Sequence, residues 1–354
     1  MTKEMYIGWA QAILSVIVFL GLANVVGRYS AYILQVNPIV FSCAAFSSCA
    51  FVLLIIGGKG SLSKETMRSI DTWVYGTILM MSYIFGMLLV FHVTSTEATM
   101  LQKVSILLGL LGSWFFLGRS PDRYQLIGTV IITFAVIMVC IGIEGENTGS
   151  IYTLSFLYGA MQTARIFTAE LHRPHAQAAQ RVNDPRAKAR VVGFIMFTMS
   201  LIFLMTTLLI AFAQEQQGQP FMSILPMLDD FTHPASIFSG LIMGICIIAP
   251  LRVLEFSSTQ IIKAENVTAV TSFSFVATFF WEWATSPLTG LSIKDVSGMD
   301  IIAGILITIG GLIITLTRTR SKNKKAPRWQ EYLAYQPQNL AAIDDSREMV
   351  ANTL

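Results

Sequence analysis

The chemistry of this chain is confined to a few polar residues set inside long apolar runs. Gln162 and Arg165 stand three positions apart, on one helical face, in the middle of the run Ile151 to Leu171. A charge at the centre of a membrane helix costs at least about 2.5–3.5 kcal/mol, so it is expected to face a cavity or an ion-pair partner. Arg165 is therefore the leading candidate for holding a substrate, with a structural pair to an acid on a neighbouring helix as the competing reading. Gln102 and Lys103 lie inside the run Ala98 to Leu117, with Lys103 roughly 9 Å deep. Lys103 either pairs with a substrate anion or Glu97, or snorkels to the headgroups. Tyr83 offers a ring that can stack on a flat or cationic substrate, or a hydroxyl for a neighbouring helix. Asn24 shares a face with Arg28, which reads as a boundary anchor. Trp114 joins the substrate-binding candidates, set apart from the span-end tryptophans Trp9, Trp73, Trp281 and Trp283.

A second group suits a gate or a proton relay. Arg252 and Glu255 share a helical face just after Pro250, which is expected to break its helix. Lys263 and Glu265 follow, so these four residues read either as a salt-bridged gate or as an ordinary wet loop. His92 and Glu97 flank the connection between the third and fourth runs, and histidine titrates near neutrality. No HExxH, GxSxG, phosphate-binding glycine loop or buried Asp pair occurs, and Asp229-Asp230 lies in a loop. An enzyme is not expected. The four cysteines, Cys43, Cys49, Cys140 and Cys246, sit in apolar runs without CxxC spacing, so no metal and no cofactor is expected.

The elements that must position these residues are helices in a membrane. Hydrophobic residues make up 54% of the chain and charged ones 13%, with a mean hydropathy of +0.62, far from the roughly 25% charge of soluble domains. Ten apolar windows are long enough to span a hydrocarbon core. They are Tyr6 to Gly27, Pro38 to Gly57, Trp73 to Phe91, Ala98 to Leu117, Tyr124 to Ile143, Ile151 to Leu171, Val191 to Ala213, Ser236 to Phe256, Val267 to Ala284 and Ile301 to Thr317. Lys and Arg collect in alternate connections: Lys59, Lys64 and Arg68, then Arg119 and Arg123, then Arg173, Arg181, Arg186, Lys188 and Arg190. Gln214 to Pro234 has none. The positive-inside rule then puts both termini in the cytoplasm.

The pattern of Thr94 to Val139 returns from Ser257 to Leu316. Glu97 precedes Trp114 by 17 positions, and Glu265 precedes Trp281 by 16. Each copy also carries a glycine in its second run, Gly128 in the first and Gly304 in the other. The chain divides into a five-helix repeat at 1–147 and a second at 148–320, with a cytoplasmic loop at 172–190 and a cytoplasmic tail at 321–354. An odd number of spans per half makes the repeats inverted, as in many secondary transporters. Gly240 and Gly244 have a GxxxG spacing suited to helix packing.

The segment Phe19 to Arg28, with Asn24 four positions before Arg28, and the paired units Thr94–Val139 and Ser257–Leu316 resemble the drug/metabolite transporter superfamily, in its EamA-type branch of ten-helix carriers. The resemblance spans about Tyr6 to Leu316. It implies a secondary active transporter, permease or exporter, that moves a small polar metabolite by alternating access, with proton coupling as one option. Arg165, Lys103 and Arg252 outnumber the deep acids, which points to an anionic or zwitterionic substrate such as an amino acid. The alternative is a non-transporting integral membrane subunit or receptor. The expected location is the cell (inner) membrane, multi-pass, with a small-molecule substrate and membrane lipid as partners and no nucleic acid.

Overall fold

The structure is a computed structural model that describes residues 3–318, apart from 61, 119, 144–147, 181–183, 185, 219–224 and 291–297, and apart from the side chains of 117, 179, 180, 265 and 315–318. The expected tail at 321–354 lies outside these residues. The described chain is helical, with no strand among the described residues. We label its long helices α1 (Lys3–Tyr32), α2 (Pro38–Gly57), α3 (Ile70–His92), α4a (Ser95–Leu101), α4b (Val104–Leu117), α5 (Arg123–Gly142), α6 (Thr148–Leu171), α7 (Ala187–Gln217), α8 (Pro234–Ile262), α9a (Ala264–Val270), α9b (Ser274–Thr289) and α10 (Gly298–Arg318).

Local signals set where these helices start. Asn37 accepts from the Ile39 and Val40 amides at the head of α2, with Pro38 as its first residue. Thr94 and Glu97 form a capping box on α4a, and Asp122 and Gln125 form one on α5. At the other end of α2, Arg190 donates to the Gly57 carbonyl and ties the α2 C-terminus to α7.

Among the described residues, seven helices are long and apolar enough to cross a membrane: α1, α2, α3, the α4 pair, α5, α7 and α8. Helices also occupy the remaining three windows. There α6 carries Gln162, Arg165 and Glu170, α9 is interrupted, and the apolar part of α10 is shorter. The outward faces are apolar. On α5, Val130, Phe134, Ile137 and Ile141 form a stripe 50–69% exposed, while Ile132, Ala135 and Val139 on the other side are buried. Water would not tolerate such a stripe on a folded monomer, and lipid does. The chain is a multi-pass helical membrane protein.

Close backbone approach fixes the packing. A methyl group at Gly244 would sit 2.1 Å from the Ala45 carbonyl, and one at Gly240 would sit 2.6 Å from that of Phe41, so α8 lies directly on α2. The GxxxG spacing is a packing device, as expected. Likewise α5 and α10 touch at Gly128 and Gly310.

Three expectations about helix continuity are corrected. Ala98 to Leu117 is not regular α-helix throughout: Gln102 and Lys103 form a turn inside it, while Ser95–Phe116 as a whole is still one membrane-length helix. Val267 to Ala284 breaks at a 3-10 turn, Thr271–Phe273. The hydroxyls of Thr271 and Ser272 bond back to the Thr268 and Ala269 carbonyls, competing with the helical ladder. Pro250, by contrast, does not break α8. A π-helical segment, Met243–Ile248, widens the helix just ahead of it and absorbs the missing N–H. A second π segment, Ser15–Leu20, lies within α1.

Candidate functional site

The four irregular stretches converge. Ser15, Val16 and Leu20 from the first π segment, Met243 and Ile248 from the second, Gln102 from one break and Thr271 from the other all line a single cavity. Its enclosed volume is about 70 Å³, room for a few water molecules or part of a small ligand. Irregular backbone within a membrane is tolerated only where protein or a cavity surrounds it, and π segments gather at functional sites.

Charge enters the cavity from α6 and α8. Arg165 makes a fork-to-fork pair with Glu255, Nη1 to Oε2 at 2.6 Å and Nη2 to Oε1 at 2.5 Å. Its Nε donates to Gln162 Oε1 at 3.1 Å, and that oxygen also accepts from Ser82 Oγ at 3.0 Å. Arg252 Nη1 adds a third donor to Glu255 Oε2, at 2.6 Å. All three charged side chains are buried and line the cavity. The pair Arg252 and Glu255 is thus not a wet loop, because the π segment carries it inward. Lys263 is exposed where the chain turns, and the Glu265 side chain lies outside the described residues.

We call the bundle face where α1 begins the near face, and the one where it ends the far face. Gly8 meets Ile261 and Ile262 at the near face, and Tyr32 donates to the Phe91 carbonyl at the far face. At the far end of the cavity and beyond it, two polar layers tie α1, α4a and α9b together. In the first, Asn24 Nδ2 donates to Thr99 Oγ1 at 3.0 Å and to Thr278 Oγ1 at 3.3 Å. In the second, Arg28 pairs with Glu282, which also accepts from Thr96 Oγ1 at 2.7 Å. Arg28 is buried. The expected boundary anchor is instead an ion pair between helices.

The other candidates separate. Tyr83 and Asn24 line the cavity with Gln102, and the Tyr83 ring packs edge-on against Phe46 at 4.5 Å. Lys103 is buried behind the cavity wall, donating Nζ to the Thr271 carbonyl at 2.6 Å and to Ser274 Oγ. It neither snorkels nor faces the cavity. Glu97 accepts from the Thr94 amide and hydroxyl as part of its cap. His92 is exposed at the end of α3, and Trp114 is 49% exposed on the outer surface. Sequence reading missed Ser82, Tyr158, Thr271 and Glu282. Each was visible as a polar group in an apolar window, Glu282 most plainly.

No family model and no curated protein matches this chain. Its fold is similar to that of a solved crystal structure described only as a protein, with a TM-score of 0.54 and 16% identity, covering 89% of this chain and 98% of the other. At that identity the likeness concerns the fold alone.

Proposed function

We propose that the chain is a secondary active transporter that moves a small polar metabolite across the cell (inner) membrane by alternating access, within the drug/metabolite transporter superfamily. The observation that carries the reading is a central cavity with buried, unequal charge, closed on its far side by two polar layers. Packing supports ten spans in two inverted five-helix repeats. Exchanging each helix for the one five places on turns the α1–α8 contact into α6–α3, and α1–α9 into α6–α4, and all four contacts exist. Helices α2 and α7, and α5 and α10, pair with their own counterparts. The two discontinuous members, α4 and α9, are counterparts as well. Together with the basic connections on the near face, this favours cytoplasmic termini. The test is reconstitution of the full chain in liposomes, with gradient-driven flux and counterflow measured across organic acids, amino acids, amines and nucleosides. Flux that saturates and falls on Arg165→Ala supports the reading, and no gradient-dependent flux of any class sinks it.

A further inference from the structure

We infer that the cavity holds a monocarboxylate with an apolar body, seated on Arg252, and that it selects against zwitterions and cations; this rests on the carrier reading. The argument starts from unspent donors. Arg165 uses both terminal nitrogens on Glu255 and its Nε on Gln162. Arg252 uses Nη1 on the same carboxylate, while its Nε is buried with no hydrogen-bond partner. Arg252 is 6% exposed and lines the cavity. Tyr83 lines the same cavity, and its hydroxyl is also buried without a partner. Buried donors of this kind are costly unless a ligand meets them.

Charge then narrows the class. Among the described residues the cavity wall carries two guanidinium groups and one carboxylate, which leaves one positive charge unmatched. One carboxylate on the ligand completes the balance, and two overshoot it. An ammonium group has no spare acid to meet, since both Glu255 oxygens are already engaged. Arg28 also has an unpartnered Nε, but Glu282 balances its charge and it does not line the cavity. The remaining wall, with Val16, Leu20, Met87, Val90, Ile248 and Leu251, suits an alkyl or aryl body. Glu255 holds the seat that a ligand carboxylate shares, so it competes for Arg252.

The experiment is thermal stabilisation of the purified full chain in non-ionic detergent, where a binder raises Tm by mass action. The probes are benzoate, hexanoate, succinate, phenylalanine, phenethylamine and hexanol. Benzoate and hexanoate are expected to bind at least tenfold more tightly than the other four. Arg252→Gln is expected to weaken benzoate at least tenfold, Arg252→Lys less, and Tyr83→Phe about threefold, whereas Glu255→Gln tightens it. The opposite signs separate a seat from general damage to the fold, and Tyr83→Phe serves if the charge variants do not fold. Phenylalanine or phenethylamine binding as tightly as benzoate, weakening by Glu255→Gln, or no stabilisation by either monocarboxylate overturns the inference. Benzoate binding without flux in liposomes would leave the seat standing and remove the carrier reading. Flux of amines without benzoate binding would do the reverse.

Discussion

The two buried charge clusters are built from the same residue types and differ in their arithmetic. On the far side, one arginine meets one glutamate, and a threonine takes up the second carboxylate oxygen. At the cavity, two arginines share one glutamate. A balanced pair away from the cavity can only hold helices together or let them go. An unbalanced one facing a cavity has something left to offer a ligand. The difference teaches that buried charge is to be read by its remainder after pairing, and less by its depth.

The comparison can be broken in several ways. The largest effect is expected for Arg165→Ala, which strips Glu255 of its forked partner; breaking a buried pair from one side costs about 3–5 kcal/mol. A thermal melt in detergent measures it, and a loss below about 1 kcal/mol would mean that the cluster is loosely held. Acid distinguishes the two faces next. Just beyond α6, at the near face, His172 and His175 are buried against Phe256, with His172 Nε2 against Thr72 Oγ1. Burial pushes the His172 imidazole down to about 4, against an opposing pull from Asp71. Burial, with help from His172 and Lys188, holds His175 well below its ordinary value. Both fold as neutral rings, so the unfolded chain binds more protons between its own value near 6.5 and the folded one. Their stabilisation is complete above about pH 6.5 and is lost as the pH falls toward 4, by up to about 3 kcal/mol for His172. His172→Asn should flatten that acid limb of a stability-against-pH curve.

Glu282→Gln sharpens the far side of the comparison. It leaves Arg28 uncompensated while keeping an acceptor for Thr96, at a cost of about 2 kcal/mol. Reversing the pair, with Arg28→Glu and Glu282→Arg together, should recover part of that loss, and failure to recover any would show that the layer depends on more than the pair. Gly244→Ala drives a methyl group into the Ala45 carbonyl and should cost about 1–3 kcal/mol in a thermal melt. The smallest effect is expected for Trp114→Ala, on the outer surface: within about 0.5 kcal/mol and with no change in any binding constant. A loss of binding there would bring Trp114 back among the site residues.

Much of the frame was legible in the sequence because lipid imposes a length and a composition that no other solvent does. Each of the ten windows holds helix, and Pro38 and Gly57 match the ends of α2 to the residue. Arg165, Gln162, Gln102, Tyr83, Asn24, Arg252 and Glu255 do line one cavity. What could not be read is where the helices lose their regularity. Hydropathy averages over a window, so two residues at Gln102 and Lys103, or a turn at Thr271–Phe273, leave no mark on it. The pairing of Arg28 with Glu282 spans 254 positions, and only the fold decides which of several acids an arginine meets. Trp114 misled because a tryptophan in an apolar run reads the same whether it faces lipid or a cavity.

Lys103 joins the two broken helices. Its ammonium group reaches from the break in α4 to the carbonyl and hydroxyl at the break in α9. The weakest points of two elements are therefore pinned through one side chain, and bending at either pulls on the other. Lys103 thus fastens the irregular turn of α4 to that of α9, so a displacement at either is resisted by the other.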